Sequence, residues 1–303
     1  METKNKWIIC GMAFSLLLGG CMNKGDNNGS STKIEKHLVS VQNYKGEGYT
    51  LHDGGEMDKI AEANRKEVES TVKEFFKEKY KTEVKVHNIV GNEDGATVFV
   101  ESIGRVHYYT YAIVPIDIGE KKILGEKVFS EEGQVEDGIK GGLYRLIFDE
   151  QFKKLNSYFE SLVSEGEVVG KTVESLQNVG GTGYMTPYYF ISTFIEDESI
   201  KPVYDLFVSN PHADIDELKN AYEESSFSAD DLLINVRLFM KDKDAPPSEE
   251  IFQHVVNDLE SMDGIPKGYY SLFLNDNKVY RDSFTGEKDN SLSRGHGNYI
   301  VNN

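Results

Sequence analysis

The sequence predicts an α+β fold in which long helices pack on antiparallel sheet, with two subdomains of similar size. Three observations predict it. Met57, Ile60, Ala61, Val68, Val72, Phe75, Phe76 and Tyr80 recur at helical spacing. From Val84 the period changes to two, the signature of strands with one buried face. A clean alternation of apolar residues with Asn235 and Arg237 returns over Leu232–Met240, followed by another amphipathic helix.

The chain opens with a positive start at Lys4 and Lys6 and an apolar segment from Trp7 to Leu18. That segment is shorter than the ~20 residues a bilayer crossing needs and has the length of a signal-peptide core. Leu18-Gly19-Gly20-Cys21 then resembles the lipobox of bacterial lipoproteins: a branched apolar residue, two small ones and a cysteine. Small residues let a peptidase approach the backbone, and the thiol accepts a diacylglyceryl group. Residues 1–20 are therefore expected to be removed as a lipoprotein signal peptide, leaving Cys21 as the lipidated N-terminus. Two or more acyl chains of palmitate length, at ~0.8 kcal/mol per buried methylene, anchor firmly. Residues 21–32, rich in Gly, Asn and Ser, have the composition of a flexible tether.

Residues 33–135 read as an N-terminal subdomain, helix then meander. After an extended entry segment, the helix from Met57 to Tyr80 carries Glu62/Lys66 and Glu69/Lys73 on its solvated side. Strands follow around Val84 and Val86, over Thr97–Glu101 after the turn Gly91–Gly95, and over Arg105–Ile116. Glycines and acidic residues from Glu131 to Gly142 read as a loop and the internal boundary. Residues 136–285 form the second subdomain. It has a long helix over Leu143–Val163, a short helix beyond Gly166, a turn at Gly180-Gly181-Thr182-Gly183 and a strand over Tyr188–Ile195. Helices near Val203–Val208 and Ile215–Tyr222 come next, with Asp214 and Glu217 spaced as a capping pair. Pro246-Pro247-Ser248 starts the helix after the Leu232–Met240 strand, Gly264 and Pro266 stop it, and a final hairpin turns at Asn275-Asp276-Asn277. Residues 286–303 read as a loose polar tail.

Composition bounds the chemistry. With 33 basic and 51 acidic side chains the net charge is −18, and losing Lys4, Lys6 and Glu2 with the leader lowers it by one more. That balance argues against nucleic acid, anionic wall polymers and lipid headgroups as main ligands, and permits cationic ligands, metal ions or basic proteins. Cys10 leaves with the leader and Cys21 is used for lipid, so the mature body has no thiol nucleophile and no disulfide.

The motifs that suggest catalysis are incomplete. Gly170-Lys171-Thr172 resembles the end of a phosphate loop, but the glycine needed five residues before Gly170 is Glu165 and the preceding segment reads as helix. Ser70 and Lys73 have the S-x-x-K spacing of penicillin-recognising enzymes, without the accompanying elements and on a charged helix face. There is no G-x-S-x-G and no H-E-x-x-H, and no acidic loop has calcium-hand spacing. His87 and His107 sit where neighbouring strands would bring them together. Tyrosines cluster at Tyr108, Tyr109 and Tyr111, at Tyr184, Tyr188 and Tyr189, and at Tyr269 and Tyr270, types that suit half-buried strands as well as stacking on a sugar or cation. No catalytic residue, metal ligand or cofactor is assigned.

With the leader and "VSVQNYKGEGYTL" (Val39 to Leu51) read together, the chain resembles a family of uncharacterised lipoproteins of staphylococci and bacilli, known only as a domain of unknown function. The resemblance implies the outer leaflet of a Gram-positive cytoplasmic membrane and carries over one residue, Cys21, as the lipid attachment site. The expected function is a non-enzymatic binding or interaction module that meets a protein or small-molecule ligand through loops such as Gly46–Gly55 and Val179–Pro187. The alternative is an extracellular hydrolase of wall or peptide substrates that uses carboxylates.

Overall fold

The computed structural model describes residues 37–194 and 196–302. The leader, Cys21 and the tether lie outside the described residues. Strand β1 (Leu38–Ser40) is followed by helices α1 (Gly55–Ala63) and α2 (Arg65–Tyr80) and by a four-stranded antiparallel meander, β2 (Glu83–Asn92), β3 (Gly95–Ile103), β4 (Tyr109–Asp117) and β5 (Lys122–Ile123). The helical run expected over 57–80 is thus two helices. Asn64 ends the first by donating its side-chain amide to the Ile60 carbonyl at 2.8 Å, competing with the helical ladder.

Helices α3 (Gln134–Ile147) and α4 (Asp149–Ser164) follow, broken at Phe148, whose ring packs edge-on to Tyr222 at 5.0 Å. Here the structure corrects the sequence: 131–142 is largely helix, not loop. Its glycines serve close approach. A Cβ at Gly142 would stand 2.9 Å from the His107 carbonyl oxygen, and one at Gly138 3.0 Å from the Tyr108 ring. The ~1 kcal/mol that each interior glycine costs a helix is offset by packing, since Val135, Ile139, Leu143 and Tyr144 are fully buried. One core cluster runs continuously from Met57 and Phe76 on α1 and α2, through α3, to Tyr270 and Ile300.

The second sheet centres on β8 (Leu232–Met240). Strands β6 (Val168–Val169) and β7 (Tyr189–Thr193) pair antiparallel with successive parts of one β8 edge, and β9 (Gly268–Asn275) pairs with the other. The β8–β9 pair is parallel, because the intervening helix α8 (Glu249–Ser261) carries the chain back as a crossover. The sheet is therefore mixed rather than wholly antiparallel. The expected final hairpin is also different: β10 (Lys278–Tyr280) leaves β9 and pairs with β1. The segment expected to be a loose tail supplies β11 (Leu292–Arg294) and β12 (Ile300–Asn302), both antiparallel to β9, with Ile300 fully buried.

Three shorter helices complete the body: α5 (Val173–Val179), α6 (Lys201–Ser209) and α7 (Ile215–Ala221). Asp214 and Glu217 form the expected capping box on α7. A buried polar lock ties α3 to the start of α6: the Tyr144 hydroxyl donates to Asp197 Oδ2 at 2.6 Å, and Asp197 Oδ1 accepts from the Ser199 backbone N–H at 3.0 Å. Among the described residues no helix is long and apolar enough to cross a membrane.

Candidate functional site

The link between β6 and α5 carries the first element of the site. Lys171 donates its backbone N–H to the Pro187 carbonyl at 2.9 Å, and Thr172 caps α5 by accepting from the Ser175 N–H at 3.1 Å. Thr172 also donates its hydroxyl to the Tyr44 carbonyl at 2.6 Å, so the loop is fixed on both sides of Lys171. Gly170 permits this approach: a Cβ there would lie 2.6 Å from the Pro187 carbonyl oxygen. The strand that precedes Gly170-Lys171-Thr172 is short but real, where the sequence suggested helix. The missing glycine still rules out a phosphate loop.

Lys171 faces a cavity of about 180 Å³ lined by α5, by the 180–190 segment and by β8. Its ammonium stands 3.8 Å from the centroid of the Phe284 ring. Phe284 holds a left-handed backbone, φ 59°, which costs an L-residue about 1–2 kcal/mol and is retained by the surrounding packing. The second cation is Arg237. Parallel register sets it directly beside Phe273, with the guanidinium 3.7 Å from that ring and 5.7 Å from Phe190.

No acidic side chain lines this cavity, and neither cation has an ion pair among the described residues. Burial lowers the Lys171 ammonium to about 7, and the like charge of Arg237 adds to the effect. Burial likewise lowers Arg237 to about 10, partly opposed by Glu287. A cation over an aromatic face gains about 0.5–2 kcal/mol, whereas removing a charge from water costs several. The ring contacts do not repay the desolvation. The remaining wall is apolar or hydroxylic, with Leu176, Met185 and Phe190 beside Thr182 and Thr186.

The loop Val179–Pro187, expected to meet a ligand, supplies much of this wall. The loop Gly46–Gly55 lies outside the lining, with Gly46 set against α5, where a Cβ would stand 3.0 Å from the Asn178 Cβ. Of the tyrosines, Tyr188 and Tyr189 line the cavity, while Tyr108 and Tyr270 are fully buried in the core.

His87 and His107 do come together, but on a carboxylate. A bulge between Val86 and Asn88 re-aims His87, whose Nε2 lies 2.7 Å from Glu101 Oε2. His107 Nε2 lies 2.8 Å from Glu101 Oε1, and Gln177 on α5 donates to Glu101 Oε2 at 3.3 Å. Burial raises the Glu101 carboxyl, but the hydrogen bonds from the two histidines outweigh it and bring it below the usual range. Among the described residues no group of three or more His, Cys, Asp or Glu is placed to hold a metal. Ser70 and Lys73 are exposed on α2. A wider cleft of about 450 Å³ gathers Glu132, Glu136, Asp137 and Asp205 with Lys140 and Lys201. Burial raises the Asp137 carboxyl, opposed by hydrogen bonds from the Thr193 hydroxyl and backbone N–H.

Arg237 and Phe284 are the site residues that sequence reasoning passed over. The available signal was an arginine in the middle of an otherwise apolar strand, which calls for a partner or a ligand.

The family described as "Protein of unknown function (DUF1672)" matches residues 31–302. The chain is also similar to the crystal structure of a DUF1672 family protein from Staphylococcus aureus subsp. aureus Mu50, with a TM-score of 0.69 at 14% identity, covering 88% of this chain and 98% of that one. At that identity the likeness concerns the fold. No curated protein matches.

Proposed function

The chain belongs to the DUF1672 family, and from that premise we propose that it is a non-enzymatic binding module, anchored through a lipidated Cys21 at the outer face of the cytoplasmic membrane. The leader supports the anchor: a short apolar segment, two glycines and a cysteine fit lipoprotein processing better than they fit a span. The carrying observation for binding is the cavity beneath the 180–190 segment, whose lining holds two cations and, among the described residues, no acidic side chain. A thermal-shift screen of the chain against metals, polyamines, muropeptides, sugars and small organic anions tests this reading. A stabilising ligand is expected, and its effect should disappear in Gly181→Leu, which fills the cavity beside Met185. Mass spectrometry of the membrane-extracted protein tests the anchor, and an unmodified N-terminus elsewhere than Cys21 would overturn it.

A second reading, an extracellular hydrolase using carboxylates, is favoured by the acidic cleft around Asp137. Wall-polymer turnover that is lost in Asp137→Asn would establish it against the binding reading.

A further inference from the structure

We infer that the Lys171–Arg237 cavity is a site for a small organic anion, a compact oxyanion head on an apolar body, seated between the ammonium and the guanidinium. The inference rests on the binding reading above and names the ligand class of that same cavity. Three features converge. Both cations line one half-open cavity and lie over aromatic rings, Phe284 for Lys171 and Phe190 and Phe273 for Arg237, whose Nη1 also donates a long bond to the Val236 carbonyl at 3.4 Å. Among the described residues no carboxylate lines that space. The rest of the lining, including Leu176 and Met185, matches a hydrocarbon or aromatic body rather than a polyhydroxylated one.

The geometry also distinguishes the two cations. Arg237 offers a planar fork suited to two oxygens of one head, and Lys171 offers a single point charge. The backbone that carries Lys171 is fixed on both sides, by its own N–H on the Pro187 carbonyl and by the Thr172 hydroxyl on the Tyr44 carbonyl. About 180 Å³ accommodates a head and one ring or a short chain and lies below the ~300–1,000 Å³ usual for drug-sized ligands. The occupant is therefore a small molecule or the end of a larger one.

Isothermal titration of the full chain with benzoate, phenyl phosphate, benzyl alcohol and inorganic phosphate tests this. Benzoate or phenyl phosphate is expected to bind at least tenfold more tightly than benzyl alcohol, and inorganic phosphate more weakly than either organic anion. The better of the two organic anions assigns the head as carboxylate or phosphate ester. Lys171→Met and Arg237→Met should each weaken that anion at least tenfold, and Lys171→Arg should retain it, with circular dichroism showing each variant folded. Benzyl alcohol binding as tightly as the anions, unaffected by Lys171→Met but lost in Gly181→Leu, would overturn the anion assignment and leave the binding cavity standing. Absence of binding by every probe, with no response to Gly181→Leu from any ligand of the wider screen, would overturn both.

Discussion

Replacing Lys171 with Met should stabilise the folded chain at pH 6, unusually for a change in a packed region. In the folded state burial and Arg237 hold the ammonium at about 7, against 10.5 for a free lysine. At 1.36 kcal/mol per pKa unit the charged form carries a folding penalty of up to about 5 kcal/mol. The side chain is half-buried, and its remaining solvent contact reduces that to about 2–3 kcal/mol. Loss of the contact with Phe284 returns about 1 kcal/mol, leaving a net gain of about 1–2 kcal/mol for Lys171→Met, whose volume fits the same space. The pH dependence fixes the cause. Between about 7 and 10.5 the unfolded chain binds the Lys171 proton more tightly than the folded chain does. Wild-type stability contributed by this group therefore rises with pH across that window. The penalty is complete below pH 7 and gone above 10.5. Arg237 is the charged group that bears on Lys171, and it keeps its charge throughout most of the window. Urea unfolding of both proteins at pH 6, 8 and 10 should show the advantage of the variant shrinking to nothing. A variant less stable by more than about 1 kcal/mol at pH 6, or a difference independent of pH, would refute the reasoning.

Tyr144→Phe removes the hydroxyl that donates to Asp197 Oδ2 and leaves a carboxylate that is only 1% exposed short of a donor, so a loss of about 2–3 kcal/mol by urea unfolding is expected. Gly170→Ala drives a Cβ to within 2.6 Å of the Pro187 carbonyl oxygen. It should cost more than about 1 kcal/mol and weaken any cavity ligand, as read by melting and titration. Glu101, whose carboxyl is lowered by His107 and His87 against the effect of burial, contributes stability above the ordinary carboxylate pKa and loses it as pH falls through its folded value. Glu101→Gln should therefore be less stable than wild type at pH 7, with the gap closing in acid melts.

The elements legible in the sequence were those whose signal is local. The Leu232–Met240 alternation, the Ser248-capped helix and the Asp214–Glu217 box depend on residues within a few positions of one another, and all three stand as expected. What misled was composition without context. The glycines at 138 and 142 look like loop until Tyr108 and His107 are known to press against them. The parallel β8–β9 pairing and the strands of residues 292–302 depend on partners across the sheet, which a one-dimensional pattern does not reveal. The site shows the same division. The loop 179–187 announced itself by glycines and tyrosines. Arg237 and Phe284 are 47 residues apart in number and meet Lys171 only through β8 and the turn after β10, and no spacing rule links them.

The opposition between an acidic body and a cationic cavity has a kinetic consequence. A chain of net charge −18 repels an approaching anion at long range, while Lys171 and Arg237 attract it only at the cavity mouth. Screening shortens the Debye length from about 30 Å at 0.01 M salt to about 10 Å at 0.1 M, which weakens the distant repulsion far more than the enclosed contact. Added salt should therefore speed association of an organic anion severalfold while changing dissociation by less than about twofold. Benzyl alcohol, being neutral, should show no such dependence. Stopped-flow measurement at 10 and 150 mM salt decides the matter. An association rate that falls with salt would mean that the local cations dominate the approach field, and the acidic surface would then have no part in selecting what reaches the cavity.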